Sequence, residues 1–205
     1  MLIQLKRIND ACFPVQYNDN FYREVLQLPR QLNKLAYWND FCVGAVCARI
    51  CGGPPLRVCR QRSRSFHREQ QTTRTEEASQ DELERNDDEE PQSTGSNNAR
   101  LYIMTLAVLA PYRGRGIASQ LLQSILDFCQ SPSCQQQYVS ITEVALHVQI
   151  SNKDAIRLYT DRFGFEIGEM IQNYYKRIDP PHCYPLYKKL VPARNHNSQD
   201  CDESD

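Results

Sequence analysis

Arg113-Gly114-Arg115-Gly116-Ile117-Ala118 stands between a strand-like run, Leu101 to Val108, and a segment, Ile117 to Cys129, with an apolar stripe at helical spacing. A Gly-rich turn that closes a strand and opens a helix suits a pyrophosphate. Glycine lets the backbone approach the phosphates, and successive N–H groups with the helix dipole favour negative charge there. Arg113 and Arg115 add charge and donors. The reading groups Arg113, Gly114, Arg115, Gly116, Ile117, Ala118 and Ser119 as an anion seat. A short Gly-rich turn also occurs as a plain surface connection; the strand before it and the helix after it favour the seat.

Working outward, Leu2, Leu5, Ile8 and Cys12 fall at helical spacing, so the chain opens in a helix. Phe13-Pro14 ends it, because proline biases its predecessor away from the helical region. Asn18 or Asp19 caps a second short helix that carries Phe21, Tyr22, Val25 and Leu26. Leu35 to Trp38, Asn39-Asp40 and Phe41 to Ile50 read as strand, turn, strand. Beyond the central helix, Tyr138 to Ile150 contains a strand, and Ser151 or Asn152 caps a further helix ending near Gly164. Phe165 to Lys176 and Cys183 to Leu190 are expected to close the sheet.

The aliphatic residues are unevenly spread. Residues 52–98 are nearly bare of them, basic from Arg57 to Arg74 and acidic from Glu76 to Glu90. Such a stretch buries too little apolar surface to offset its ordering entropy, so a disordered insertion is expected, with a nuclear-import or nucleic-acid role for the basic half as the alternative. The expected organisation is one domain over 1–190, interrupted by 52–98, and a flexible polar tail over 191–205. A net charge of −1 gives no push toward nucleic acid or a membrane surface. No apolar run reaches the ~18 residues of a membrane span. Nine cysteines contain no C-x-x-C pair. Cys47, Cys51, Cys59 and His67 do not make a convincing zinc set, because Cys47 belongs to a strand-like run; reduced thiols and no metal are expected.

Four blocks occur in order: Phe13-Pro14-Val15-Gln16-Tyr17-Asn18-Asp19, Leu101-Tyr102-Ile103-Met104-Thr105-Leu106, Leu146-His147-Val148-Gln149-Ile150-Ser151-Asn152 and Asn173-Tyr174-Tyr175-Lys176-Arg177-Ile178. With the 113–118 turn, they resemble the GNAT acetyltransferases, and within them the N-alpha-acetyltransferase 50 type, the catalytic subunit of NatE. The resemblance implies an α/β (α+β) fold: a mixed, twisted sheet whose central parallel strands splay apart, flanked by helices. It implies acetyl-CoA as cofactor and protein N-termini beginning with methionine as substrates, with lysine acetylation as a second activity. It further implies partnership with the NatA catalytic and ribosome-anchoring auxiliary subunits, and a cytoplasmic location extending to the nucleus.

Acetyl transfer to an amine needs a neutral nucleophile, and a peptide α-amine titrates near about 8. A base is therefore required. Strand alternation puts Tyr102 and Met104 on one face, and Ala145, His147 and Gln149 on one face of the later strand. A lone histidine in an apolar run is by default structural; the resemblance makes Tyr102 and His147 the pair that takes up the proton through a water. By the same resemblance, backbone amides near Leu106 and Val108 support the carbonyl oxygen, and Asn152 and Tyr159 contact the cofactor. Phe13, Pro14, Val15, Tyr17, Tyr174, Tyr175 and Ile178 form the substrate loops, with Met104 and Arg49 as further contacts.

The chain departs from the family pattern in three places. One extra residue separates Tyr159 from Gly164, which a local bulge would absorb. The family's opening strand and the first part of its first helix have no counterpart, implying a shortened start or one edge strand fewer. The 52–98 stretch replaces a short loop. Two other functions compete: a weakly active binding subunit of the NatA/NatE assembly, and a lysine or small-amine acetyltransferase on the same fold.

Overall fold

The computed structural model describes residues 1–52, 99–137 and 141–190. The insertion expected at 52–98 (apart from Gly52) and the tail from 191 lie outside the described residues, as do Cys59 and His67. Helices α1 (Leu2–Cys12) and α2 (Asp19–Gln27) precede strands β1 (Asn33–Trp38), β2 (Phe41–Cys51) and β3 (Ala99–Val108). Then follow α3 (Ile117–Gln130), α4 (Pro132–Gln137), β4 (Ile141–Gln149), α5 (Lys153–Arg157), β5 (Glu166–Ile167) and β6 (Cys183–Lys189). The short helix α4 has no counterpart in the sequence reading.

Six strands form one mixed sheet in the order β1-β2-β3-β4-β6-β5. Only β3 and β4 pair in parallel; the other pairings are antiparallel. Asn39 and Asp40 both take positive φ, 45° and 66°, and make the tight β1–β2 turn. Asn18 caps α2, its Oδ1 accepting from the Phe21 N–H at 2.9 Å.

The helices cover both faces. In the larger core, Leu122 and Ile125 of α3 cluster with Leu101, Val144 and Leu186 of the sheet; in the smaller one, Leu5 and Ile8 of α1 and Val25 of α2 cluster with Ala45 and Ala107. Leu26 of α2 is 57% exposed, because the inward face is already filled by Phe21, Tyr22 and Val25. One expectation needs correction. The strand expected over Phe165–Lys176 shrinks to Glu166–Ile167 and one bridge at Ile171, since Asn173 turns with φ 56° and the loop leaves the sheet.

The extra residue between Tyr159 and Gly164 also finds its place. Helix α5 continues into one π-helical turn, Leu158–Arg162, the form in which a helix takes up a single additional residue. Gly164, at φ 65°, ends it, donating its N–H to Thr160 O at 3.0 Å.

Burial also sets an alkaline limit on stability. Desolvation pushes the Cys47 thiol from 9.0 up to about 11, and Cys129 and Cys183 up to about 12. Groups whose folded pKa lies above the unfolded value stabilise the fold fully below that value. The benefit is lost as pH rises, because the unfolded chain releases protons that the folded chain keeps. Thermal melts should therefore show Tm falling from about pH 9 towards 11, and Cys129→Ala should soften the fall. A Tm unchanged across that window would contradict the burial of these thiols.

Candidate active site

The site begins where β3 and β4 part. Their parallel pairing runs from Ala99↔Ile141 to Tyr102↔Ala145 and stops. At the paired end, Arg100 Nε meets Glu143 Oε1 at 2.6 Å. At the parting end, the Tyr102 hydroxyl and His147 Nδ1 lie 3.0 Å apart. His147 also stacks on Tyr174, with ring centroids 4.7 Å apart and planes 18° from parallel. Tyr174 in turn meets Tyr175 edge-on at 4.9 Å.

Beyond the parting point, β3 is paired with β2 alone on one side. The Leu109 N–H donates to Val43 O at 2.8 Å, which sets the phase of that ladder. In an antiparallel ladder, alternate residues turn both backbone groups to the same neighbour. Thr105 and Ala107 therefore face β2, and Leu106 and Val108 direct their amides toward the gap that β4 has left. Val108 O meets Arg113 Nε there at 2.9 Å. A register shift between Cys47 and Ala48 of β2 leaves Met104 as the additional residue of a β-bulge on β3.

The 113–118 turn closes the open end. Gly114 and Gly116 take φ of 74° and 80°, and a Cβ at either would meet nothing within 4 Å. Conformation, not space, calls for glycine at both. Gly116 is the N-cap of α3 without a side-chain cap, and the first helical bond is Gln120 N–H to Gly116 O. The amides of Ile117, Ala118 and Ser119 thus precede the first intrahelical bond and face the turn. Arg115 lies over Trp38, 5.1 Å from its ring centroid, so both arginines of the turn also hold structural contacts.

A cavity of about 540 Å³ opens on the other side of the Tyr102–His147 pair. Val15, Tyr17, Arg49, Met104, Tyr174, Tyr175 and Ile178 line it with Tyr102 and His147. Phe13 and Pro14 do not line it; Phe13 packs edge-on against Tyr17 at 5.8 Å and joins the fringe of the α1–α2 core. Gln16, Asn20, Phe21 and Glu24 line the cavity without having been singled out from sequence. The sequence carries one signal for them: Asn20 and Glu24 are one helical turn apart on α2, a polar stripe beside the apolar one.

Asn152 caps α5, its Oδ1 accepting from the Ala155 N–H at 3.2 Å. Tyr159, only 5% exposed, packs edge-on against Phe165 at 5.3 Å, and burial pushes its phenol pKa well up from 10.0. Among the described residues, no group of three or more His, Cys, Asp or Glu side chains is arranged to hold a metal.

A mixed sheet parted at its one parallel pair, with a glycine turn and a helix N-terminus at the gap, defines an acyltransferase of the acetyl-CoA class. The chain belongs to the acetyltransferase (GNAT) family, whose pattern matches residues 2–165. Within that family it is similar to N-alpha-acetyltransferase 50 of Danio rerio, 40% identical over 91% of this chain and 82% of the relative. It is also similar to the probable N-acetyltransferase san of Drosophila melanogaster, 37% identical over 91% of this chain and 74% of that one. Among solved structures, Arabidopsis thaliana Naa50 in complex with the bisubstrate analogue CoA-Ac-MVNAL superposes with a TM-score of 0.62 at 38% identity, covering 92% of each chain.

The stacking of Tyr174 on His147 yields a direct test. Aromatic pairs contribute about 0.5–1.5 kcal/mol beyond the area they bury. Tyr174→Phe should leave the urea midpoint of unfolding nearly unchanged, whereas Tyr174→Ala should lower stability by more than that amount. Equal midpoints for the two variants would mean that the stack contributes nothing.

Proposed function

We propose that this chain transfers acetyl from acetyl-CoA to the α-amine of proteins beginning with methionine. The observation that carries the reading is the Tyr102–His147 contact, at the point where the strands part and on the wall of a cavity lined by aromatic, apolar and polar side chains. The donor set suits the cofactor: the amides of Ile117, Ala118 and Ser119, the two left-handed glycines, Arg113 and Arg115 receive the pyrophosphate. When bound, the cofactor supplies an activated acetyl thioester. The Leu106 and Val108 amides, turned into the gap, stabilise negative charge on the acetyl oxygen.

The Tyr102–His147 pair takes the proton that the attacking amine must lose, through an intervening water. Histidine suits this because its ordinary pKa lies near the working pH. By resemblance to the family, the Tyr159 phenol supplies the proton that the departing thiolate takes up. Val15, Met104 and Ile178 offer apolar and polarisable walls for a methionine side chain. The analogue bound by the Arabidopsis Naa50 structure carries the peptide MVNAL, which supports the same preference. By resemblance to the family, the enzyme acts with the NatA catalytic and auxiliary subunits in the cytoplasm, with the nucleus as a second location and lysine acetylation as a second activity.

The test is acetylation of a panel of N-terminal peptides beside one with an internal lysine. Met-starting peptides should be turned over fastest, and preference for the lysine peptide would overturn the reading. Co-purification with NatA from cell extract tests the partnership; a chain that never accompanies it would act alone.

Three substitutions locate the chemistry. Acetyl-CoA at a hundredfold excess over Kd should stabilise the native state by about 2.7 kcal/mol. Gly116→Glu, which sets bulk and negative charge at the α3 N-terminus, should abolish the resulting rise in Tm. His147→Ala and Tyr102→Phe should each lower kcat more than about tenfold while leaving that rise intact. Because both act on one proton, the double variant should lose less than the product of the single losses. Full activity in His147→Ala would leave it a packing residue.

A further inference from the structure

Arg49 of β2 stands directly opposite Tyr102 of β3 in the sheet register. Its guanidinium lies over the Tyr102 ring, 5.5 Å from the centroid. An arginine on a strand has many rotamers, and fixing one costs entropy. One contact that restricts it comes from α2: Glu24 Oε1 lies 3.4 Å from the outer nitrogen of Arg49, with the two side chains 42% and 31% exposed. Glu24 is also the one carboxylate lining the cavity among the described residues, where Arg49, Lys176 and Arg177 are the cations. At this exposure and distance the pair adds little to stability. Its consequence is geometric.

We propose that Glu24 is a positioning residue for acetyl transfer: it holds the Arg49 guanidinium on the face of Tyr102 and so keeps the Tyr102 hydroxyl aimed at His147. The chain of contacts is continuous, Glu24 to Arg49 at 3.4 Å, Arg49 to the Tyr102 ring at 5.5 Å, Tyr102 to His147 at 3.0 Å. A cation against the ring face is attracted by its quadrupole and restrains the ring's tilt. Glu24 touches neither reacting group; it acts through Arg49. The inference rests on the reading of Tyr102 and His147 as the proton-accepting pair.

The experiment is steady-state kinetics on a Met-starting peptide with the full chain and its Glu24→Ala, Glu24→Asp, Arg49→Met and Glu24→Ala/Arg49→Met variants. Residues coupled through a shared partner have non-additive effects. Glu24→Ala should lower kcat about threefold to tenfold, with peptide KM within about twofold and the acetyl-CoA-induced rise in Tm retained. Glu24→Asp, which keeps the charge, should recover most of the loss. In the Arg49→Met background, adding Glu24→Ala should change nothing further. Unchanged kcat in Glu24→Ala overturns the proposal, as does a loss confined to KM, which would make Glu24 a peptide contact. Losses that multiply in the double variant overturn it too. If the wild-type chain acetylates the peptide and the Glu24 variants match it, only this inference fails; if the wild type is inactive, the underlying reading fails with it.

Discussion

The end of parallel pairing between β3 and β4, at Tyr102 and Ala145, is the constraint on which the rest of the molecule depends. A sheet that opened along its middle would lose ladder hydrogen bonds at every further residue. Here the opening is held at both ends: by the Arg100–Glu143 ion pair where the strands still run together, and by the Tyr102–His147 contact where they part. On the outer side, β2 and β6 keep their antiparallel pairings with β3 and β4, so each strand retains a full ladder on one edge. The amides of Leu106 and Val108 are directed into the gap by that arrangement. Polar groups in the middle of a sheet are thereby made accessible without unfolding it.

The helices answer the same geometry. Helix α3 can begin directly at the gap because two glycines in left-handed conformation reverse the chain within a few residues of Val108. The Arg113 contact with Val108 O ties the turn back to the strand it follows. On the opposite face, α1 and α2 carry the 13–17 loop to the cavity, while Phe13, Tyr17 and Phe21 lock that loop through ring contacts at 5.8 and 4.4 Å. Tyr174 reaches over from the far loop to stack on His147. Two loops thus complete the cavity wall beside Arg49, Tyr102, Met104 and His147 of the sheet, each anchored by aromatic rings.

The single extra residue after Tyr159 illustrates how a local irregularity is absorbed. In a helix, one added residue would rotate everything after it by about 100°. The π turn at Leu158–Arg162 confines that rotation, leaves Tyr159 buried against Phe165, and lets Gly164 end the helix. A bulge of the same kind at Met104 serves β3. The Met104 bulge lies two residues from Tyr102 and lines the same cavity, where a regular strand would aim that side chain elsewhere.

Most of the fold was legible because its signals are local. The stripe Leu2-Leu5-Ile8-Cys12, the Asn18 cap, the Asn39-Asp40 turn and the Gly114–Gly116 turn each follow from backbone preferences within a few residues, and the structure places an element at each. The ordered blocks around Tyr102 and His147 pointed to the family. What tertiary structure alone decided depends on groups far apart in sequence. That Tyr102 and His147 meet at 3.0 Å follows from the register at which β3 and β4 run together, which no window of sequence contains. That Phe13 joins the fringe of the α1–α2 core while Glu24 faces the cavity depends on how the two helices pack against the sheet. That Leu26 stays exposed on α2 also follows from packing, since Phe21, Tyr22 and Val25 fill the available face. Residue spacing along one chain segment sets its own periodicity, whereas packing against a second segment chooses which side of it becomes the site.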